Sequence, residues 1–226
     1  MRRLIIAVMA AGLVLMTSCL TDDDHYSLDK MWIGLGMADK GSDDGFKIEM
    51  DDGSVLFPAV KNFNESQLED SDRVLVNYTI LGDKVITELQ KEYYVRINSI
   101  RKILKKGILD ITPAIADSIG NDPVTINKVW LSRNQLLNFE FHYFGESKVH
   151  YINLVKEPGD LHAEDQPIKL ELRHNSNGDA ERFPMTSLVS FDLKAIRIVG
   201  LDSVAFHVTS QDYDGEEHTF DGVYHY

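Results

Sequence analysis

One residue near the N-terminus has a side chain and a setting that point to a specific chemistry: Cys19, the only cysteine of the chain. Arg2 and Arg3 give the chain a positive start, and an uncharged run follows from Leu4 to Leu15. A basic head, an apolar core of this length and small residues before the cut are typical of a secretory signal. The run is too short to cross a bilayer, which needs roughly 20 apolar residues. The sequence therefore predicts a signal peptide over residues 1–18.

The position of Cys19 resembles the lipobox of bacterial lipoproteins, in which the cysteine is lipidated and becomes the first mature residue. Removal of 18 residues leaves 208 of the 226 in the mature chain. Acyl chains on one residue hold a protein to a membrane because each buried methylene contributes about 0.8 kcal/mol. The resemblance implies a membrane-anchored N-terminus with a soluble body. The alternative is an ordinary buried thiol at the end of an uncleaved signal.

An acidic cluster, Asp22, Asp23 and Asp24, follows the cysteine. It resembles the signal that routes lipoproteins of some Gram-negative bacteria to the cell surface. Leu20 stands where an aspartate would retain a lipoprotein in the inner membrane. We therefore expect an outer-membrane protein that faces the cell exterior. The alternative is a solvated acidic tether over residues 19–27 with no address, because a run of like charges stays extended.

The charge of the chain limits its partners. Without Arg2 and Arg3, 21 basic residues face 36 acidic ones, so the mature chain carries a formal charge near −15. Such a charge repels nucleic acid. Because no cysteine remains in the mature body, its stability must come from packing and not from disulfides.

Signals for enzymatic chemistry are missing from the sequence. It has no G-x-S-x-G elbow, no P-loop and no dinucleotide glycine fingerprint. His142 and His150 flank a predicted hairpin turn, but two ligands do not close a metal site. Residues 212–217 echo part of a calcium loop and lack its third ligand and distal glutamate, so a polar hairpin turn is favoured. We expect no catalytic residues, no metal and no cofactor.

One segment departs from the acidic balance. Residues 84–106 contain seven basic residues against Glu88 and Glu92. This predicts a partner-binding basic patch, for an acidic partner or for the acidic second domain. Solvated strand ends are the default alternative, and single-stranded nucleic acid, which a basic groove with aromatic residues can bind, is disfavoured by the rest of the chain. The patch comprises Arg96, Arg101, Lys102, Lys105 and Lys106.

The elements that must position these residues are strands. Apolar residues alternate with polar ones or glycine in short runs separated by turn residues every 8 to 12 positions, as in barrels and sandwiches. Residues 28–110 contain five such runs, with glycines early in the first one at Gly34 and Gly36. Glycines where a strand must bend sharply favour a small closed barrel of the OB type.

A second unit of β-structure is predicted over residues 111–226. Thr112, Pro113 and Gly120 have the residue types of a helix cap, first turn and stop, so a short helix is expected over 112–119. Beyond it, six or seven strands each carry one apolar face, as at 137–143 and 168–173. Such repetition predicts an antiparallel β-sandwich. The expected fold class is all-β.

The order of a lipobox, a short barrel, a small helix and a β-sandwich resembles the NigD-like lipoprotein family. The strand sequence from Asp72 to Tyr78 is similar to the strand sequences of that family. The resemblance implies an N-terminal OB-fold and a C-terminal β-sandwich. The namesake of the family is linked to a bacteriocin gene cluster and was proposed as its immunity protein, and no functional residues carry over.

The sequence thus predicts a non-enzymatic, surface-exposed outer-membrane lipoprotein that acts as a binding or bacteriocin-immunity-type protein. Its expected partners are the membrane, through the N-terminal lipid, and a protein or glycan, but not nucleic acid. A structural or accessory subunit of an envelope complex is the alternative, and an enzyme with an unrecognised site ranks third.

Overall fold

The computed structural model describes residues 26–41, 45–87 and 90–226. Cys19 and the three aspartates Asp22, Asp23 and Asp24 lie outside the described residues, so the predicted anchor and export signal remain predictions. No helix in the described part of the chain is long and apolar enough to span a membrane. The fold is all-β with one short helix, as the alternation of apolar residues predicts.

The N-terminal body is a closed barrel of five strands. Its strand order is β1-β2-β3-β5-β4, and β1 closes the barrel by pairing antiparallel with β4. The pair β3–β5 is parallel, and the other pairs are antiparallel. The strands are β1 (Trp32–Asp39), β2 (Lys47–Met50), β3 (Val55–Lys61), β4 (Arg73–Thr87) and β5 (Gln90–Lys102).

The first strand of the barrel points its glycines inward and its large apolar residues outward. A Cβ atom at Gly34 would lie 2.6 Å from Met50 Cε, and one at Gly36 would lie 2.7 Å from Ile48 Cγ2. Only glycine leaves room for these two interior side chains. The apolar residues that alternate with the glycines, Ile33 among them, therefore lie on the outer wall of the barrel.

The C-terminal body is a β-sandwich built from eight strands in the order β13-β12-β10-β9-β6-β11-β8-β7. One hydrophobic core, which includes Phe139, Leu154, Leu170, Phe191 and Phe206, joins the two sheets. The strands are β6 (Leu104–Asp110), β7 (Thr125–Leu131), β8 (Leu136–Gly145), β9 (Tyr151–Lys156), β10 (Ile168–Asn175), β11 (Phe183–Asp192), β12 (Ser203–Gln211) and β13 (Glu217–His225).

Strand β6 belongs to both sheets of the sandwich. Its first half pairs with β11, from Leu104 opposite Val189 onward, and its second half pairs with β9, from Ile108 opposite Leu154 onward. Both pairings are parallel, and so is the pair β10–β12. The predicted sandwich is confirmed, with three parallel pairs among its otherwise antiparallel strands.

The boundary between the two units is predicted after Asp110, but the strand that ends there, β6, pairs with strands of the sandwich. The last barrel strand ends at Lys102, and β6 begins two residues later. Because β6 is mostly solvent-facing and carries two lysines, its sequence does not indicate that it belongs to the second body. In the folded chain, residues 104–110 therefore group with the sandwich and not with the barrel.

The helix between the two bodies is shorter than the predicted span of 112–119. It is α1 (Ala116–Ile119), and no side chain caps its N-terminus. The carbonyl oxygen of Thr112 accepts the N–H groups of Ile115 and Ala116, so the segment before α1 is a turn. Gly120 ends the helix with a φ of 74°, which glycine adopts without strain.

Candidate functional site

A buried arginine joins the barrel to the sandwich. Arg73 opens β4, and its two terminal nitrogens donate to Asp51 of the barrel at 2.5 and 2.6 Å. The same guanidinium donates to Asn138 Oδ1 on β8 at 2.8 Å and, through Nε, to Ser190 Oγ on β11 at 3.0 Å. Bidentate pairs of this kind are the strongest hydrogen bonds that side chains form.

The partners of Arg73 are themselves held in place. Ser190 donates to Asn138 Oδ1 at 2.6 Å, and Asn138 Nδ2 donates to the carbonyl of Leu136 at 2.9 Å. On the barrel side, the Asp51 carbonyl accepts the N–H of Arg133 at 3.1 Å. A buried polar network that is satisfied in this way fixes the geometry of the groups around it. The sequence analysis did not single out any member of this junction.

Four of the five residues of the predicted basic patch form hydrogen bonds or ion pairs with other residues of this chain. Lys102 pairs with Asp72 at 2.6 Å, and Lys105 Nζ donates to the Ser71 carbonyl at 2.6 Å. Arg96 bonds to Asn98, Thr79 and the Leu28 carbonyl, and Lys106 bonds to Asn153 and the Ile152 carbonyl. In the described part of the chain, Arg101 alone among the five has no side-chain hydrogen bond or ion pair. A role for these residues in binding an outside partner stays a prediction.

The histidines that flank the β8–β9 turn do not face each other. His142 lies 3.1 Å from Thr186 Oγ1, while His150 turns toward β10 and the following loop. His150 Nδ1 lies 2.8 Å from His174 Nε2, and His150 Nε2 lies 3.2 Å from Asp179 Oδ2. The described residues contain no group of three or more ligands that could hold a metal ion.

The pair of histidines has an asymmetric environment. A hydrogen bond between two imidazole nitrogens needs one donor and one acceptor, so both rings cannot be doubly protonated at once. Burial, and then the neighbouring His150, lower the pKa of His174 below its ordinary value of 6.5. The N–H of Glu146, followed by further donors that include His150, holds the pKa of Asp179 well below its ordinary value. His174 Nδ1 is buried and makes no well-formed hydrogen bond to any described residue, although the backbone of Pro123 and Asp122 lies beside the ring.

These histidines line an inter-sheet cleft with a cavity of about 140 Å³. It opens beside the first half of β6, where the described pairing of β6 with β9 has not yet begun and Lys106 Nζ donates to the Ile152 carbonyl. Burial lowers the pKa of this lysine. The cleft is lined by Leu104, Phe141, Tyr143, His150, Tyr151, Ile152, His174, Ser187 and Leu188.

The inter-sheet cleft is lined mostly by aromatic and aliphatic side chains, together with Ser187 and the two histidines. Activation of a serine needs a base with a free ring nitrogen within hydrogen-bond reach. Both nitrogens of His150 are engaged, and neither imidazole is hydrogen-bonded to Ser187. Aromatic and aliphatic walls with a few polar groups are typical of sites that bind a small ligand or a protruding side chain.

The loop that echoes a calcium site is a hairpin turn between β12 and β13. Asp212 Oδ1 accepts the Thr125 hydroxyl at 2.7 Å, and Asp214 Oδ1 accepts the Glu216 N–H at 2.9 Å. The backbone closes the turn with the Asp212 N–H on the Glu216 carbonyl. These carboxylates shape the turn.

The two bodies match the two halves of a known protein family. Residues 38–103 match the NigD-like N-terminal OB domain, and residues 107–222 match the NigD-like C-terminal beta sandwich domain. The chain belongs to the NigD-like family. The predicted resemblance is thereby confirmed, with the OB barrel followed by the β-sandwich.

Solved structures from Parabacteroides and Bacteroides species share this NigD-like fold. A protein from Parabacteroides distasonis, provisionally described as toxin-related, is 28% identical with a TM-score of 0.72 and covers 87% of this chain and 94% of its own. A protein of unknown function from Bacteroides vulgatus is 27% identical with a TM-score of 0.70, covering 86% and 91%. A NigD-like immunity protein from Bacteroides caccae is 20% identical with a TM-score of 0.63, covering 88% and 99%. No curated protein matches the chain.

Proposed function

We propose that this chain is a non-enzymatic, lipid-anchored binding protein of the bacteriocin-immunity type, held in the outer membrane through Cys19 and displayed at the cell surface. Membership of the NigD-like family supports an immunity role, and a NigD-like immunity protein shares the fold. The layout of residues 1–24 supports the anchor and its surface address.

The observation that carries the binding role is the inter-sheet cleft and its rim. Leu104 and Tyr151 line the cavity, and each is 51% exposed. The two paired histidines also line this cavity, next to its aromatic and aliphatic residues. A tyrosine at the edge of such an opening is the type of residue that dominates binding to a protein partner. We propose that a toxic protein inserts a side chain here.

The experiment that tests this function is complementation of a gene deletion. Deletion is expected to sensitise cells to the protein toxin of at least one producer strain, and the wild-type gene restores protection. A chain with Leu104→Ser and Tyr151→Ser is expected to lose about tenfold or more of that protection, since a buried anchor contributes 2 kcal/mol or more to binding.

Val199→Ser serves as the matched control, because Val199 is fully exposed and lies outside the cleft. Equal protection by the cleft variant and the control would refute the cleft as the toxin site. Unchanged sensitivity of the deletion strain to all producers would refute the immunity role, and would favour an accessory subunit of an envelope complex.

Protease treatment of intact cells tests whether the protein is displayed at the cell surface. Digestion of the wild-type protein while a periplasmic marker survives would support display outside the cell, with a Cys19→Ala strain as the unanchored control. Protection of the wild-type protein would mean that Asp22, Asp23 and Asp24 form only a tether.

A further inference from the structure

The chain joins the barrel wall within a few residues of its predicted anchor. The ring of Tyr26 packs edge-on against Tyr93 of β5, with centroids 6.2 Å apart. Two residues later, Arg96 Nη2 donates to the Leu28 carbonyl at 3.3 Å. Tyr26 is seven residues beyond Cys19. Even a fully extended chain of that length reaches only about 25 Å. Tyr26 and the barrel surface that it contacts therefore stay within about that distance of Cys19 and its anchor.

The same stretch exposes large apolar side chains. Leu28 is 59% exposed, Met31 is 63% exposed and Ile33 is 69% exposed. Ile33 points outward because the glycine that follows it occupies the interior position of β1. Three large exposed apolar side chains thus lie within six residues of the sequence, and groups of exposed apolar residues mark interaction sites.

The polar residues of the stretch are those of a membrane interface. Lys30 Nζ lies 4.1 Å from the ring centre of the partly exposed Trp32. Tryptophan with a neighbouring lysine is typical of the level of lipid headgroups. From Tyr26 to Ala38 the sequence contains one acid, Asp29, and one base, so the local charge is balanced although the chain as a whole is acidic.

We propose that this membrane-facing wall, defined as residues 28–33, rests at the boundary between the headgroups and acyl chains of the bilayer that anchors Cys19. The proposal rests on the lipid anchor of the proposed function and not on the immunity role. Three apolar side chains bind a membrane weakly by themselves. A short tether raises their local concentration at the bilayer, so that weak contact becomes persistent. The barrel then has a fixed orientation on the membrane.

The chain offers a matched pair of fluorescent reporters for this contact. It contains two tryptophans, Trp32 in the wall and Trp130 in the sandwich, and each has a lysine over its ring. The mature lipidated protein is placed in phosphatidylcholine–phosphatidylethanolamine vesicles with brominated acyl chains, which quench tryptophan at short range. Trp130→Phe leaves Trp32 as reporter, and Trp32→Phe leaves Trp130.

We expect brominated vesicles to quench Trp32 by at least twofold more than Trp130. The triple variant Leu28→Ser, Met31→Ser, Ile33→Ser is expected to remove this difference while the protein still floats with the vesicles. Its control is Val199→Ser with Val223→Ser, two exposed valines of the sandwich, which should leave the quenching unchanged. Unaltered thermal unfolding of each variant shows that the fold is intact.

The outcomes separate the anchor from the wall. Equal quenching of the two tryptophans in vesicle-bound, lipidated protein would overturn the proposed wall and leave the anchor standing. A mass without acyl chains on Cys19, and wild-type protein that does not float, would overturn the anchor and the wall with it. Quenching of Trp32 that persists in the triple variant would also overturn the assignment to residues 28–33.

Discussion

Two buried polar clusters of this protein differ in how completely their hydrogen bonds are made. At the junction of the two bodies, the guanidinium of Arg73 has an acceptor for Nε and for both terminal nitrogens. At the inter-sheet cleft, His150 and His174 share one hydrogen bond, and His174 Nδ1 makes no well-formed hydrogen bond within the described part of the chain. The permanent charge of Arg73, with its fixed partners, joins the two bodies, whereas His174 is a titratable group that can respond to pH.

The largest effect is expected when the junction loses its charge. Arg73→Met removes every hydrogen bond of the guanidinium and leaves Asp51 and Asn138 without their partner. Breaking one side of a buried ion pair costs about 3–5 kcal/mol of unfolding free energy. Urea unfolding followed separately at Trp32 and Trp130 should show a large loss, and the barrel and sandwich should unfold in separate transitions.

The control for this variant is Arg101→Met, which removes an exposed arginine of β5. Its effect is expected to stay within about 0.5 kcal/mol, as for surface substitutions in general. If Arg73→Met cost no more than this control, the junction would not couple the two bodies.

A smaller loss is expected from Ser190→Ala at the same junction. The change removes the acceptor for Arg73 Nε and the hydroxyl that donates to Asn138. Leaving a buried donor unpaired costs about 1–3 kcal/mol. The matched control is Ser187→Ala on the same strand, whose hydroxyl lines the cleft. Equal urea midpoints for the two variants would contradict the assignment.

The junction also marks where prediction from sequence ends. Alternation at 168–173 predicts β10 because one side of that strand is buried and the other is not. Alternation at 137–143 predicts β8 as well, although residues 136–139 are buried on both sides because Asn138 faces the junction. The partners of Arg73 at the junction, by contrast, lie 22 to 117 residues away from it in the sequence. No local pattern brings an arginine of one body to a serine of the other.

Two further features of the structure are not predictable from the local sequence. The alternation in β1 predicts a strand, but the glycines face inward, because Ile48 and Met50 fill the interior beside them. Among the candidate site residues, His150 was named only as a possible partner of His142. Its actual partners, His174 and Asp179, lie 24 and 29 residues further along the chain.

The cleft cluster is expected to make stability depend on pH. The pKa of His174 lies below 6.5 in the folded state, because of burial and of His150. The unfolded chain therefore binds more protons once the pH falls below about 6.5, so stability is full above that value and declines toward the folded pKa. The slope is at most about 1.4 kcal/mol per pH unit for one proton.

Urea midpoints between pH 7.5 and 5 measure this dependence. A His174→Asn chain should lose most of the slope, while a His207→Asn chain, altered at a pair with Asp221 on the protein surface, should keep it. An identical slope in wild type and His174→Asn would show that another group, such as Asp122, sets the pH response.

The smallest effect is expected for Lys102→Ala, which sharpens the contrast with Arg73. Its ion pair with Asp72 measures 2.6 Å, close to the distances at the junction, but the lysine side chain is largely in solvent. Exposed pairs contribute little and are screened by salt. The urea midpoint should shift slightly in low salt and not measurably in 0.5 M salt, whereas the Arg73→Met difference should persist in both.

The strand shared by both sheets sets the order in which the protein can form. Leu104 of β6 pairs with Val189 of β11, which lies 85 positions further along the chain. Closing so long a loop is slow, and parallel pairing at such separation delays folding. As the chain emerges from its N-terminus, the barrel strands at 32–102 can close among themselves first. The second half of β6 can pair with β9 once residues 151–156 are present, but its first half stays unpaired until β11 is complete at residue 192, so the growing chain carries an open strand edge at residues 104–107 during that interval.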